Sequence, residues 1–357
     1  MKIPFEINVL RKHVMKILTR DIGKSSVQNN DFRLLRDRKI LITRPNHRLG
    51  NLLLITPLVQ EVTYMFPGCR IDLFVGGSAA PHIFMNYENI EKIIQLPRKP
   101  FSNILKYIRV WLVLRVRSYD LVINANEGSS SGRLSTLFAR SKVKFFGEAD
   151  NYYKFAYPDH GHHAKCPVYN FRGFLIRQGF EENKNQIPPL DLRLCAGEIA
   201  EGEKILNAIV QNKKLTICLF TNATGNKCYS NQWWEAFYNG LVESFPDYNF
   251  IEMLPVENIS RLDSIIPSFY STNIREIGAI IANASLFIAA DSGVMHLASA
   301  VGTPTIGLFS VTSEQVYAPY NKHSLAINTG KITIPEMFAL IEHTLLNTSY
   351  TKGSMHG

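Results

Sequence analysis

Asp291, Ser292 and Gly293 stand between an apolar run, Leu286 to Ala290, and a helical pattern that continues towards Gly302. A short continuous apolar run is expected of a parallel strand buried on both faces. A helix that starts directly after such a strand presents backbone N–H groups with no acceptor inside the helix, and its dipole favours negative charge there. The junction therefore reads in two ways: as a helix cap built by Asp291 or Ser292, or as a phosphate site formed by the first amides. Asp291 is itself negative, so sugar hydroxyls suit it better than phosphate oxygens. His296 falls one turn into the helix, on the phosphate side.

Two other loops have suitable chemistry. Thr221 to Lys227 offers small, hydroxyl-bearing and amide residues after an apolar run, then a lysine able to neutralise a phosphate as a point charge. Thr43 to Asn51 offers Arg44, Asn46, His47 and Arg48 as donors to anions and sugars ahead of a helix. His160, His162, His163 and Cys166 have the look of a metal cluster. Three imidazoles in four residues do not readily reach one ion, and no carboxylate or second cysteine completes the set, so no metal site is expected. Trp233 and Trp234 are expected to pack a helix rather than stack on a base.

The elements that must position these loops alternate between strand and helix. Strands are expected at Lys39–Thr43, Arg70–Val75, Ile93–Leu96, Leu121–Ala125 and Val143–Phe146, with a helix over Asn51–Phe66. The polar stretch Asn183 to Pro189 ends in a Pro-Pro pair and precedes a fresh series, which places a domain boundary there. The second series has strands at Leu215–Phe220, Asn249–Met253, Leu286–Ala290 and Thr305–Phe309. Its helices run through Trp233 to Phe237, around Arg261, over Asn273–Asn283 and over Pro335–Asn347. Such alternation predicts an α/β fold of two doubly wound, Rossmann-like domains facing across a cleft, with ligands beyond the carboxyl ends of the strands. The expected organisation is a basic extension, 1–38, a first Rossmann-like domain, 39–185, and a second, 186–348.

The chain has 357 residues, 46% of them hydrophobic, enough for two cores. No uncharged apolar run approaches the roughly 20 residues that span a bilayer, and no signal-peptide pattern opens the chain, so a cytoplasmic protein is expected. Five scattered cysteines without a C-x-x-C pair fit reduced thiols. The net charge of +9 is uneven: residues 1–38 hold nine Lys or Arg against four Asp or Glu. Ile7, Leu10, Val14, Ile17 and Leu18 recur there at helical spacing among basic residues. Such a helix can lie on an anionic membrane surface, or pack on the domain. Residues 98–117 hold six Lys or Arg and no acid, and the same alternatives apply. No recognition motif accompanies the charge, which argues against nucleic acid as the partner.

From about Lys39 to about Thr329 the chain resembles the ADP-heptose:lipopolysaccharide heptosyltransferases, glycosyltransferase family 9, which have the two-domain GT-B fold. The resemblance rests on the Leu-Gly and Thr-Pro pattern within Leu41 to Pro57, on Phe66-Pro-Gly and on Tyr119-Asp-Leu-Val-Ile. It rests further on the lysine loop, on Asp291-Ser-Gly-x-x-His-Leu-Ala-x-Ala-x-Gly-x-Pro304, and on Leu308-Phe-x-x-x-Thr312. It implies metal-independent, inverting transfer of a sugar from a nucleoside diphosphate donor, ADP-heptose being expected, to a lipopolysaccharide core or other lipid-linked or polysaccharide acceptor. Asn222, Ala223 and Lys227 would hold the diphosphate, Glu257 the ribose and Asp291 the donor sugar. The Ser292 and Gly293 amides with His296 would hold the phosphates. Arg44, Asn46 and Asn51 would face the acceptor. The family's first loop usually ends in Gly-Asp, that Asp being the base for the acceptor hydroxyl; here it is Gly50-Asn51. An amide cannot take that proton, leaving His47 and Glu127 as base candidates, or a non-catalytic nucleotide-sugar or glycan-binding protein.

Overall fold

The computed structural model describes Thr19 and residues 38–97 and 104–353. The described residues form two compact units: 38–48, 57–81, 87–97 and 104–188 belong to the first, and 49–56, 82–86 and 189–353 to the second.

The first unit carries a parallel sheet in the order β3-β2-β1-β4-β5. Its strands are β1 (Lys39–Arg44), β2 (Arg70–Gly76), β3 (Ile90–Leu96), β4 (Ser118–Asn124) and β5 (Arg140–Phe145). Ile40, Leu41 and Ile42 on central β1 are fully buried. Because β2 and β4 lie on either side of β1, the order reverses at β1, and the loops after β1 and β4 open on that switch point. Arg44 ends β1 and residues 45–48 follow it, while Glu127 follows β4.

The single helix expected over 51–66 is two: α1 (Leu49–Leu53) and α2 (Thr56–Met65). Pro57 has no N–H to give the carbonyl of Leu53, and the Thr56 hydroxyl donates to that carbonyl instead at 2.8 Å. Helix α3 (Ile104–Val116) and α4 (Ser130–Phe138) complete the parts of this unit that matter below.

The second unit carries a six-stranded parallel sheet in the order β11-β10-β9-β6-β7-β8. Its strands are β6 (Leu215–Phe220), β7 (Tyr248–Met253), β8 (Ser268–Phe269), β9 (Leu286–Ala290), β10 (Thr305–Phe309) and β11 (Leu325–Asn328). Strands β9 and β10 are buried along their whole length, as their unbroken apolar runs require. The reversal falls at β6, flanked by β9 and β7, so the loops after β6 and β9 open on one crevice. Helices α5 (Asn231–Ser244), α6 (Ile274–Ala282), α7 (Gly293–Ala300) and α8 (Ile334–Gly353) run beside this sheet. Asn273 and Asn283 cap α6, and the Asn273 side chain accepts from the Arg275 amide.

No helix forms around Arg261. Residues 254–267 run as turns, bracketed by Pro255 and Pro267, and Asn258, Asp263 and Ser264 take positive φ of 54°, 47° and 61°. A helix cannot accommodate three such residues. Strands β8 and β11, both short edge strands, were not legible as periodic runs. The basic segment 1–37 lies, apart from Thr19, outside the described residues, as do 98–103.

Candidate active site

At the end of β9 the Ser292 side chain caps α7 by accepting from the Met295 amide at 3.4 Å. Asp291 does not cap. Its backbone N–H donates to Leu308 O, and its carboxylate, almost fully buried, receives Lys227 Nζ at 2.7 Å and Thr312 Oγ1 at 2.5 Å, both on Oδ2. Lys227 ends a 3₁₀ turn, Gly225–Lys227, in the loop after β6, and its ammonium lies 5.8 Å from the centre of the Tyr317 ring. The turn is entered through Gly225 at φ +65°, a conformation that favours glycine. The lysine loop and the Asp-Ser-Gly junction, both expected at the donor, thus meet at one ion pair beside a helix N-terminus.

Helix α1 belongs to the same unit and meets the N-terminus of α7 glycine to glycine. A Cβ on Gly50 would lie 2.8 Å from Cδ2 of His296 and 3.3 Å from the Gly293 Cα; one on Gly293 would lie 3.1 Å from the Gly50 amide nitrogen. His296 is buried, its ring lying against Gly50. Asn51 is the third residue of α1, directly after Gly50, and is half-buried.

Asn222, next to Thr221, turns its side chain towards the β7 loop. Its Nδ2 donates to Ile259 O at 3.1 Å, and its Oδ1 accepts from Arg261 Nε at 3.4 Å. Ala223 packs against the core behind the loop. Glu257 is exposed, in the turn closed by the Asn258 amide on Pro255 O. A different acid organises this region. Glu252, fully buried at the end of β7, accepts from Thr221 Oγ1 at 2.5 Å, from the Arg261 amide at 3.2 Å and from Ser260 Oγ. Its two oxygens accept three hydrogen bonds, all of which tie the β6 and β7 loops together.

In the first unit the loop after β1 folds over the end of β2. Gly76 donates to Asn46 O at 3.0 Å, and the Asn46 side chain accepts from the Arg48 amide at 2.9 Å. A Cβ on Gly76 would stand 2.9 Å from that same Asn46 carbonyl, so the close approach needs glycine. Arg44 is buried, whereas His47 and Glu127 are exposed. Burial, with the charges of Arg44 and His162, holds His163 down at about 4, so its imidazole is neutral at pH 7. Burial raises the Glu148 carboxyl above the usual range, the Glu127 charge adding to this and Arg177 opposing it; one of its oxygens is buried without a hydrogen bond. Glu148 and His163 are titratable groups that sequence reasoning did not place here. The other two histidines of the cluster are used structurally: His160 Nε2 pairs with Asn170 Oδ1 at 2.8 Å, and His162 Nδ1 accepts from the Ala164 amide at 3.2 Å.

Two all-parallel, doubly wound sheets, with a lysine and a carboxylate meeting at the switch point of the second, have the architecture of a GT-B glycosyltransferase. The family described as Glycosyltransferase family 9 (heptosyltransferase) matches residues 107–337, more than half of the chain, and the chain belongs to that family. Among curated relatives, it is 23% identical over 309 residues to a lipopolysaccharide heptosyltransferase 3 of Escherichia coli, covering 79% of this chain and 86% of the relative. Among solved structures, a glycosyl transferase family 9 protein from Veillonella parvula superposes with a TM-score of 0.68 at 15% identity, over 90% of this chain and 99% of that one. The E. coli heptosyltransferase WaaC with ADP superposes with a TM-score of 0.62 at 15% identity, over 86% and 99% of the respective chains. At such identity the structural likeness establishes the shared fold.

Proposed function

We propose that this protein transfers heptose from ADP-heptose to a lipopolysaccharide core or a related lipid-linked glycan, with inversion at the anomeric carbon and without a metal. The observation that carries the reading is the Lys227–Asp291 pair beside the N-terminus of α7. Lys227 and the first amides of α7 are placed to stabilise a departing diphosphate, the charge that grows as the glycosidic bond breaks. Asp291, held by Thr312, is the acceptor for donor-sugar hydroxyls. Glu252 fixes Thr221 and Arg261, and through Arg261 the Asn222 side chain, so the loop carrying Lys227 is set before a donor arrives.

The base for the acceptor hydroxyl comes from the first unit, where His47 and Glu127 are both accessible. Arg44 and Asn46 line the acceptor side. The reaction takes place in the cytoplasm at the inner face of the inner membrane, where a lipid-linked acceptor would be met. Among the described residues no helix is long and apolar enough to cross a membrane.

A thermal-shift series across nucleoside diphosphate sugars tests the donor, since a ligand that binds only the folded state raises its apparent stability. ADP-heptose should give the largest rise, and a larger rise with a UDP- or GDP-sugar would reject the donor assigned. Asn51 supports a second reading, a binding protein without turnover, because an amide stands where the family usually has its base. Donor binding with no product from any acceptor would select that reading.

A further inference from the structure

Helix α3 (Ile104–Val116) is apolar on two faces. Its inner face is spent on the first unit's core: Trp111 packs edge-on against Phe74 at 5.5 Å between ring centres, and Leu114 is buried in the same cluster with Tyr119. The outer face repeats the pattern without a described neighbour to bury it. Leu105, Ile108, Leu112 and Val116 recur at three- and four-residue spacing and form one stripe, with exposures of 79%, 48%, 52% and 80%. Four exposed aliphatic side chains in one continuous stripe mark a surface that is ordinarily covered by a partner. Leu137 and Phe138 on α4 extend the exposed apolar area to one side.

The charges around the stripe identify that cover. Arg109 and Lys106 flank it on one side and Arg115 on the other, and residues 98–117 contain six Lys or Arg and no acid. A groove of about 580 Å³ between β3 and α3 adds Lys92 to the same cationic margin. A second groove, of about 470 Å³, runs between α3 and α4, where the Arg115 guanidinium lies 5.7 Å from the centre of the Phe138 ring. A protein partner would have to supply acids at matched positions on both margins. A bilayer supplies phosphates at every lateral position and acyl chains beneath them, which is what an aliphatic stripe with Lys106 and Arg109 on one margin and Arg115 on the other can use.

We infer that the outer face of α3, with the adjoining edge of α4, docks this protein on the surface of an anionic lipid bilayer, the stripe entering the acyl boundary and Lys106, Arg109 and Arg115 meeting lipid phosphates. The inference goes beyond the sugar-transfer reading and does not need it, since binding to lipid is measured without donor, acceptor or turnover. The test is sedimentation of the full chain with vesicles of phosphatidylcholine containing phosphatidylglycerol, and with vesicles of phosphatidylcholine alone. The wild type should sediment with the anionic vesicles and far less with the neutral ones. The triple variant Leu105→Ser, Leu112→Ser, Val116→Ser should bind about tenfold more weakly or worse, because it removes three aliphatic side chains from the lipid contact. The double variant Arg109→Gln, Arg115→Gln should also lose about tenfold. All five positions are exposed, so circular dichroism should report unchanged folding. No binding by the wild type, or undiminished binding by the triple variant, overturns the inference. So does a triple variant that converts a dimer to a monomer on size exclusion while vesicle binding persists, which would assign the stripe to a second copy of this chain.

Discussion

Lys227 Nζ stands 2.7 Å from Asp291 Oδ2, so a cation assigned to the donor diphosphate and a carboxylate assigned to the donor sugar are ion-paired with each other. The pair sets the charge that an incoming phosphate meets: Asp291 partly cancels Lys227 where an anion must bind. Asp291→Asn should therefore bind ADP, which has no sugar, about fivefold more tightly than the wild type while losing transfer. Lys227→Met should bind ADP at least about tenfold more weakly. Calorimetry with ADP decides the point, and equal weakening by both substitutions would mean that Asp291 helps to hold the phosphates.

Gly50 has no room for a side chain. An alanine Cβ would press on His296 and the Gly293 backbone at 2.8 and 3.3 Å, and such crowding costs about 1–3 kcal/mol. Gly161 has open space at the same test, so Gly161→Ala should stay within about 0.5 kcal/mol of the wild type. Urea unfolding of the two variants should separate them, and equal midpoints would refute the tight α1–α7 contact.

Glu252 has no exposure and accepts three hydrogen bonds. Removing it in Glu252→Ala strands the Thr221 hydroxyl and the Arg261 amide and should cost about 2–4 kcal/mol. The conservative Glu252→Gln should recover much of that stability yet still raise KM for the donor, because its amide end cannot accept. A donor KM unchanged in Glu252→Gln would limit the residue to a purely structural role.

His163 predicts a pH dependence. Its folded value of about 4 lies below the unfolded 6.5, so the folded state binds fewer protons and loses stability as pH falls through that window. The loss reaches about 2–3 kcal/mol by pH 4 and is absent above pH 6.5. Unfolding between pH 7.5 and 4 should show a shallower decline in His163→Gln than in the wild type. Parallel curves would show that the imidazole titrates normally.

The candidate bases separate by rate. General-base catalysis is worth about 10²–10⁴, so His47→Ala or Glu127→Gln should lower kcat by about 10² or more with little change in donor KM. An unchanged kcat in both would dismiss both residues.

What the sequence made legible was local. The β9 strand, the Ser292 cap and the Asn273–Asn283 boundaries of α6 depend on neighbours in the chain, and their residue types announce them. The Lys227–Asp291 contact joins residues in the loops after two strands, β6 and β9, that are adjacent only because the sheet order reverses at β6, and no periodicity reports that. Thr312 was visible as a motif position, but its bond to Asp291 exists only once β9 and β10 pair. Glu252 was hidden for another reason: an acid at the end of an apolar strand reads as its solvated edge, while Glu257 in the following loop looked the better ligand. The helix expected around Arg261 does not form, because positive φ at Asn258, Asp263 and Ser264 forbids one, and residue type alone does not announce those dihedrals.

Mass spectrometry of the acceptor after incubation with ADP-heptose and a lipid-linked core saccharide tests the central claim most directly. One heptosyl unit should be added by the wild type and none by folded Lys227→Ala or Asp291→Ala. Full transfer by either variant, or donor binding by the wild type with no mass added to any acceptor, would contradict it.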